Sequence, residues 1–372
     1  MKILDSHKKY LRKCLSLAYK GKGKTFPNPL VGCVIVKNNE IIGQGYHKEY
    51  GFSHAEVEAI NSVKDKKLLK GATLYANLEP CVHWGKTPPC VDSIIKYGIK
   101  EVVCSNIDPN PLVNGRGIKK LESSGIKCII GILSKEAEKL NKGYFKWIET
   151  KMPYVTIKSA MTLDGKIATK DKKSKWISSE KSLRFVHRLR SRYDAILVGL
   201  NTLLIDNPSL TTHGMGRDPV RIILGDVSKI KSPFKYKVFC DGGKTIVFTN
   251  RFHQKIKDKF QGFHNVKIVE LKNIERKERF FSKVIKYLPE FNIGSVLIEG
   301  GGETIWSAIN SKIVDDFVLF LAPKIFGGRN AKTFVEGDGV KNTQNAFKVK
   351  FESVKRVGDD IMLEGRFVNC KK

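Results

Sequence analysis

The residue types best suited to chemistry lie in two segments of the first half of the chain. One reads Ser53-His54-Ala55-Glu56, and the other runs from Leu78-Glu79-Pro80-Cys81 through an eight-residue insert to Cys90. Zinc held by three protein ligands keeps an open position for a water molecule, whose pKa then falls to about 7. The sequence therefore predicts His54, Cys81 and Cys90 as metal ligands and Glu56 as the residue that exchanges protons with the bound water.

A second arrangement of the same residues stays open at this point. His83 follows Cys81 by two residues and could supply a fourth ligand. A site closed by four protein ligands is typical of structural zinc and has no catalytic position.

The elements around these residues alternate between strand and helix patterns through the first 147 residues. Strands read at Val31–Lys37, Glu40–Tyr46, Ala72–Asn77, Glu101–Ser105 and Lys127–Ile130, with helical patterns before, between and after them. His54 and Cys90 fall at predicted helix starts. At Cys90 the helix N-terminus would stabilise the thiolate. These patterns predict an α/β sandwich built on a five-stranded mixed sheet.

Met152-Pro153 interrupts the pattern, and a second strand-and-helix series with an antiparallel ending follows it. We therefore predict two domains, residues 1–147 and residues 148–372. In the second, Glu299-Gly300-Gly301-Gly302-Glu303-Thr304 follows a strand and opens a helix, so its backbone amides could hold a phosphate. The motif lacks the Gly-x-Gly-x-x-Gly spacing of dinucleotide folds, and a tight turn is the alternative interpretation.

Composition limits the partners of the protein. The 372 residues carry a net charge of +30, shared as +12 over residues 1–146 and +18 over the remainder, and 53 of the 67 basic residues are lysine. An even lysine excess favours solvated surfaces and phosphorylated small molecules over a nucleic-acid site, which would favour clustered arginine. No apolar run approaches the length of a membrane span or a signal peptide. We expect a cytoplasmic protein that binds neither nucleic acid nor membrane and forms a homo-oligomer.

The remaining cysteines give no sign of a disulfide framework. They lie mostly in apolar runs, where a thiol is a small core residue, and packing is the prediction for all six: Cys14, Cys33, Cys104, Cys128, Cys240 and Cys370.

With these residues in place, the first half resembles the cytidine-deaminase-like zinc deaminases, whose pattern is His-x-Glu with Pro-Cys-x-x-Cys. The longer insert between Cys81 and Cys90 is similar to that of the bifunctional riboflavin-biosynthesis deaminase/reductases, as are the segments Pro27–Gly32 and Asp108–Pro111. The resemblance implies hydrolytic deamination of 2,5-diamino-6-(5-phosphoribosylamino)pyrimidin-4-one. It also implies substrate contacts at Asn28, His47, Lys86, Asp108 and Asn110.

The second half resembles the reductase domain of the same family. Leu163-Asp164-Gly165-Lys166, Ser174–Ser178, Asp206–Thr211 and Glu299-Gly300-Gly301 carry the likeness. It implies a dihydrofolate-reductase-like fold and reduction of the ribosyl group to ribityl by NADPH. The implied cofactor contacts are Ala160, Trp176, Thr202, Asp206, Gly301, Gly302, Glu303 and Thr304, and the implied substrate contacts are Ser174, Arg190, Leu210 and Glu299.

Two departures from the family pattern bear on the second half. Thr211-Thr212-His213 stands where the family usually has an arginine after Leu-Thr, so a phosphate contact is either lost or taken over by His213 or Arg217. Gly225-Asp226 follows a strand where Asp-Ser or Asp-Thr is usual. A nucleic-acid-editing zinc deaminase is the rival interpretation, since it shares the zinc chemistry and would explain the basic charge. It does not explain the second domain or the long insert.

Overall fold

The computed structural model describes residues 2–251, 254–272 and 277–368. It separates into two compact units, Met1–Lys151 and Met152–Lys372. The boundary predicted after residue 147 falls inside the last helix of unit 1, which continues to Thr150. Cys370 lies outside the described residues.

Unit 1 is an α/β sandwich. Its helices are α1 (Lys2–Ala18), α2 (Ala55–Ser62), α3 (Cys90–Lys96), α4 (Arg116–Ser123) and α5 (Ser134–Thr150). Its strands are β1 (Gly32–Lys37), β2 (Glu40–Tyr46), β3 (Thr73–Ala76), β4 (Glu101–Cys104) and β5 (Lys127–Ile130).

The described residues of unit 1 form one five-stranded mixed sheet, as predicted, in the order β2-β1-β3-β4-β5. β3, β4 and β5 run parallel, whereas β1 runs antiparallel to β2 and β3. Alternate residues of β1 serve the two faces, since Ile35 belongs to one buried cluster and Val34 packs with Leu11 of α1 in another. The sheet therefore needs helices on both faces.

Helix α2 lies directly against strand β2 because glycines face it. A Cβ added at Gly45 would lie 2.5 Å from the Ala59 nitrogen and 2.7 Å from the Ala55 carbonyl oxygen. A Cβ added at Gly43 would lie 2.6 Å from the Ala59 carbonyl oxygen. Backbone contact therefore fixes the separation of the two elements.

Unit 2 is a second α/β structure. Its helices are α6 (Glu180–Arg190), α7 (Leu200–Asp206), α8 (Lys237–Cys240), α9 (Gln254–Lys259), α10 (Lys277–Tyr287) and α11 (Gly302–Asn310). Its strands are β6 (Tyr154–Thr162), β7 (Ala195–Gly199), β8 (Val220–Leu224), β9 (Thr245–Thr249), β10 (Val266–Glu270), β11 (Ser295–Ile298), β12 (Asp316–Ala322), β13 (Val349–Val357) and β14 (Asp360–Phe367).

The described part of unit 2 contains a nine-stranded sheet, ordered β10-β9-β8-β7-β11-β6-β12-β14-β13. Strands β6 to β12 pair in parallel, and β14 and β13 close the sheet antiparallel, which confirms the predicted ending. Its central strands are buried on both faces, so they read in the sequence as continuous apolar runs. No helix in the described part of the chain is long and apolar enough to span a membrane.

Candidate active sites

The predicted residues of unit 1 converge because the ends of four strands meet at one edge of its sheet. This edge holds the carboxyl ends of the parallel strands β3 and β4. It also holds the start of β1 and the end of β2, since Cys33 pairs with Ala76 and Gly32 with Tyr46. Loops and helix starts that follow this edge carry His54, Glu56, Cys81, Cys90 and Asp108.

Three ligand atoms cluster at this edge. His54 precedes α2 and Cys90 is the first residue of α3. The His54 Nδ1 atom lies 3.4 Å from the Sγ atoms of both Cys81 and Cys90, and all three ligand atoms lie within 4.8 Å of one another. Zinc–sulfur bonds of about 2.3 Å and a zinc–nitrogen bond of about 2.0 Å at a tetrahedral angle place sulfur and nitrogen about 3.5 Å apart. The three side chains therefore fit one zinc ion.

His83 does not join this group among the described residues. The closed zinc site with His83 as fourth ligand, which the sequence left open, is therefore not formed in this structure. Three protein ligands with an open position is the catalytic pattern.

Hydrogen bonding and burial together set the protonation of the cluster. The Cys81 thiol has its pKa lowered to about 4, chiefly by hydrogen bonding with Cys90 and also with His54, so it is a thiolate at neutral pH. Glu56 is 3% exposed, and its carboxylate oxygen lies 3.5 Å from the Cys90 sulfur. Burial, followed by the negative charge of Cys81, raises the pKa of Glu56 to about 7. A carboxyl with that pKa can both accept and release a proton near neutrality.

Asn28 and His47 form a second layer of the pocket. The Asn28 amide nitrogen lies 3.1 Å from His47 Nε2, and His47 Nδ1 lies 3.1 Å from the Ser53 carbonyl oxygen. This pairing is satisfied by the tautomer that carries its proton on Nδ1. Burial lowers the pKa of His47, whose ring meets the His54 ring edge-on at 5.3 Å.

Two buried asparagines that the sequence analysis passed over hold the chain beside Asn28. Asn141 on α5 accepts from the Leu30 amide at 2.8 Å and donates to the Leu30 carbonyl at 2.9 Å. Asn77 accepts from the Gly32 amide and donates to the same carbonyl. Residues between Asn28 and β1 are therefore fixed by side chains from distant elements.

Asp108 and Asn110 lie on the loop after β4, which we call the recognition loop (residues 108–118). One Asp108 carboxylate oxygen accepts hydrogen bonds from the Tyr144 hydroxyl and from the backbone amide of Asn110, each at 2.8 Å. Burial raises the pKa of Asp108 to about 6. Glu79, to which the sequence patterns assign no role, accepts four backbone hydrogen bonds from this loop.

Lys86 stands apart from these contacts. It is exposed on the insert between the cysteines, with its ammonium 4.2 Å from the centre of the Tyr50 ring. The neighbouring Trp84 is 74% exposed. Lys86 therefore has its charge near solvent, where a phosphate can reach it.

Glu299 and Arg190 form the polar centre of unit 2. Two Arg190 nitrogens donate to the two Glu299 oxygens at 2.9 and 3.0 Å, and a third donates to the Thr211 carbonyl at 2.7 Å. Lys158 on β6, which the sequence analysis did not identify, lies 3.7 Å from Glu299. Although burial favours the neutral acid, Arg190 and Lys158 hold the pKa of Glu299 at about 2. Arg190 is thus committed to Glu299 in this structure.

His213 lies beside this centre, whereas Arg217 is paired elsewhere. The His213 and His187 rings are 4.3 Å apart, and His187 is one helical turn from Arg190. Arg217 lies 3.7 Å from the Asp194 carboxylate. Burial, with the nearby Arg190 charge, lowers the pKa of His187 to about 4.

The glycine-rich segment opens helix α11, as predicted. Gly301 precedes the helix, and its amide donates to the Thr202 hydroxyl at 3.1 Å. A Cβ at Gly301 would meet only that hydroxyl, at 3.5 Å, so ligand atoms can approach the backbone here. A Cβ at Gly302 would instead lie 2.6 Å from the Thr333 carbonyl, so Gly302 is needed for packing.

The other residues predicted for unit 2 differ from one another in their contacts and exposure. Ser174 and Asp206 are hydrogen-bonded to each other at 2.7 Å, and Thr304 lies against Gly199. Trp176 is 74% exposed, whereas Leu210 is buried. Ala160 lies two residues after Lys158 on β6. Glu303 points outward to Lys277, 3.0 Å away.

Two protein-family models match the chain, and one lies within each unit. A model described as the cytidine and deoxycytidylate deaminase zinc-binding region matches residues 4–106. A model described as the RibD C-terminal domain matches residues 153–363. Fold and sites together define a two-unit enzyme, a zinc deaminase followed by a reductase.

Several similar proteins of known identity match this chain over almost its whole length. Riboflavin biosynthesis protein RibD of Aquifex aeolicus is 41% identical, over 97% of this chain and 98% of its own. The RibD protein of Actinobacillus pleuropneumoniae is also 41% identical, over 95% and 94%. A crystal structure from Thermotoga maritima superposes with a TM-score of 0.85 at 36% identity, covering 98% of this chain and 99% of its own. It is a diaminohydroxyphosphoribosylaminopyrimidine deaminase/5-amino-6-(5-phosphoribosylamino)uracil reductase.

The chain belongs to the RibD family of riboflavin biosynthesis proteins. It is a bifunctional deaminase and reductase of that pathway, as predicted, and the nucleic-acid-editing alternative is not favoured.

Proposed function

We propose that unit 1 hydrolyses the exocyclic amine of 2,5-diamino-6-(5-phosphoribosylamino)pyrimidin-4-one, and that unit 2 reduces the ribosyl group of the product to ribityl with NADPH. The cluster of His54, Cys81 and Cys90 beside a buried Glu56 is the observation that carries the first step. It supplies a metal position and a proton carrier in one pocket.

In the deamination, His54, Cys81 and Cys90 would hold one zinc ion. When bound, zinc makes water a nucleophile at neutral pH. Glu56 takes a proton from the attacking water, then delivers protons to the ring nitrogen and to the departing ammonia. Its raised pKa suits both directions of transfer.

Substrate binding in unit 1 would use the remaining polar groups of the pocket. Asn28 and Asn110 present amide edges to the pyrimidinone, and Asp108 accepts from its amino groups. His47 fixes Asn28 through their hydrogen bond. Lys86 binds the ribose phosphate as a compact charge.

In the reduction, NADPH would lie on Thr202, Asp206, Ala160, Trp176 and the α11 start from Gly301 to Thr304. When bound, it supplies the hydride. Ser174, Leu210, Arg190 and Glu299 would face the substrate. Ionised Glu299 keeps Arg190 in place through two hydrogen bonds, so this pair orients the ligand rather than offering a free guanidinium to it.

The test is a coupled assay on the full chain. Purified zinc-loaded protein is given the diaminopyrimidinone ribotide and NADPH, and ammonia release and loss of NADPH absorbance are followed together. We expect both signals. Ammonia without NADPH oxidation would refute the second step, and NADPH oxidation without ammonia would refute the first.

Glu56→Gln is the matched variant for the acid–base role. Removing the proton carrier while keeping the side-chain volume should lower the deamination rate by about 10²-fold or more. Zinc content, measured by atomic absorption, should be unchanged. Deamination at the wild-type rate would contradict the role assigned to Glu56.

Three further expectations from the sequence remain predictions. These are self-association into a homo-oligomer, measurable by light scattering, a cytoplasmic location, and the absence of a nucleic-acid partner.

A further inference from the structure

The structure points to Glu79 as a positioning residue for the deamination. We propose that its carboxylate clamps the recognition loop, and so holds Asp108 and Asn110 at the substrate. This inference rests on the function proposed for unit 1, because it takes these two residues as substrate contacts.

The first support is that both oxygens of the Glu79 carboxylate accept two hydrogen bonds each. Oε2 accepts from the amides of Asp108 at 3.1 Å and Gly115 at 2.9 Å. Oε1 accepts from Gly117 at 2.9 Å and Ile118 at 3.2 Å. The residue is 3% exposed, so the carboxylate has little access to water. These are charge-assisted bonds, which are stronger than neutral ones.

The second support is where the four donors lie. Asp108 begins the recognition loop, and the other three amides belong to the start of helix α4. Gly115, the residue before α4, has no side chain that could cap the helix. The Glu79 carboxylate therefore caps it from a distant part of the chain. One side chain therefore holds both ends of the loop that contains Asn110.

The third support is close packing on the same segment. A Cβ added at Gly117 would overlap the Pro80 carbonyl oxygen and lie 3.0 Å from Glu79 Oε1. The Glu79 amide also donates to the Asn106 carbonyl at 2.9 Å. The recognition loop thus lies against the chain that leads to Cys81, which places Asp108 beside the metal pocket.

A neutral amide cannot reproduce this arrangement. Each carboxylate oxygen accepts two amides, whereas the nitrogen of a glutamine is a donor. Glu79→Gln therefore leaves two loop amides without an acceptor in either orientation of the side chain. The zinc ligands and Glu56 are not among the four donors, so the chemical step should persist once substrate is bound.

The experiment measures Glu79→Gln in the full-length, zinc-loaded enzyme. We expect the KM of the diaminopyrimidinone ribotide to rise about tenfold or more, with zinc content retained and kcat within about threefold of wild type. Gly117→Ala, whose Cβ would overlap the Pro80 carbonyl oxygen and crowd the Glu79 carboxylate, displaces the loop while the charge of Glu79 is kept, and it should give the same change. Glu101→Gln, at the opposite end of β4, is the matched control and should leave KM unchanged.

Two readouts separate this role from general stabilisation. Hydrogen exchange of the amides in residues 108–118 should quicken in Glu79→Gln, while NADPH-dependent reduction of the deaminated substrate by unit 2 is unchanged. An unaltered KM, or a fall in kcat and zinc content with KM constant, would overturn the proposal. If the wild-type protein released no ammonia, the proposed function itself would fail, and the exchange measurement would still report on the clamp.

Discussion

Asp108 and Glu56 are buried carboxyl groups of one pocket, yet their partners suit them to different tasks. Glu56 lies 3.5 Å from the Cys90 sulfur and has its pKa raised to about 7. Asp108 accepts from Tyr144 and from a backbone amide, which partly offset its burial and leave its pKa at about 6. A group that titrates just below neutrality can be tested by its effect on substrate binding.

Acidification should weaken substrate binding by unit 1. As the pH falls through about 6, Asp108 takes up a proton and loses acceptor capacity toward the substrate amino groups, so KM should rise, while protonation of Glu56 lowers kcat separately. KM measured from pH 8 to pH 5 checks this, and Asp108→Asn should remove the step. A KM that rises equally in the variant would assign the titration to another group.

The same shift has a defined sign for stability. The folded state holds this proton up to about pH 6, whereas an exposed aspartate releases it near pH 4. Between these values the folded state binds more protons, so Asp108 contributes added stability as the pH is lowered through that window.

His213 should limit the affinity of unit 2 for its phosphorylated substrate. It is exposed on a turn, with its ring tilted against the His187 ring at 4.3 Å, and it lacks the permanent charge of an arginine. His213→Arg should lower KM about two- to fivefold, since an exposed ion pair is worth about 0.5–1 kcal/mol. His264→Arg, at an exposed site before β10, is the control, and an unchanged KM in His213→Arg would contradict the prediction.

At the scale of elements, helix α5 is joined to the proposed substrate pocket through two side chains, Tyr144 to Asp108 and Asn141 to Leu30. Asn141 is 2% exposed and makes two hydrogen bonds with Leu30, just before β1. Residues 134–150 therefore contribute to the pocket although they lie outside the segment matched by the deaminase family model.

Asn141→Ala should destabilise unit 1. The Leu30 amide would be left buried without its acceptor, which costs about 1–3 kcal/mol, whereas the Leu30 carbonyl keeps Asn77. Thermal unfolding should show a lower transition temperature for unit 1, with the transition of unit 2 unmoved. Asn61→Ala, at an exposed position of α2, is the control, and equal behaviour of the two variants would show that the contact adds nothing.

Most elements could be predicted because their sequences alternate or are continuously apolar at strand length. Helix α7 was missed because Leu200 follows β7 without a separating turn, so the apolar residues read as one run. Strand β10 is a short edge strand whose residues are only partly buried, which leaves a weak pattern.

The residues of the candidate sites also differ in whether the sequence predicts them. Histidine and cysteine at zinc-ligand spacing carry their chemistry in their identity, so the metal cluster could be predicted. Glu79, Asn141 and Lys158 act through partners far away in the chain, with 29 to 39 positions between Glu79 and its donors alone. Their types fit many roles, and only the fold shows which contacts they make.

At the scale of the whole molecule, the two reactions have separate chemical requirements. The metal-ligand cluster lies in unit 1, and no comparable group of ligand side chains occurs in the described residues of unit 2. The reduction should therefore be independent of zinc.

Chelation tests this separation. Treating the full chain with 1,10-phenanthroline should abolish ammonia release and leave NADPH oxidation with the deaminated substrate unchanged, and added zinc should restore the first activity. Parallel loss of both activities would mean that zinc also supports unit 2.

The glycine contacts between β2 and α2 have a consequence for attempts to change substrate range. Backbone atoms of Ala55 and Ala59 would lie within 2.7 Å of a Cβ at Gly43 or Gly45, so a larger residue at either position would push this strand and the helix that follows His54 apart. The wall formed by the recognition loop is held by one carboxylate instead. Laboratory selection for new pyrimidine substrates should therefore accumulate its changes in residues 108–118 and leave positions 43 and 45 as glycine.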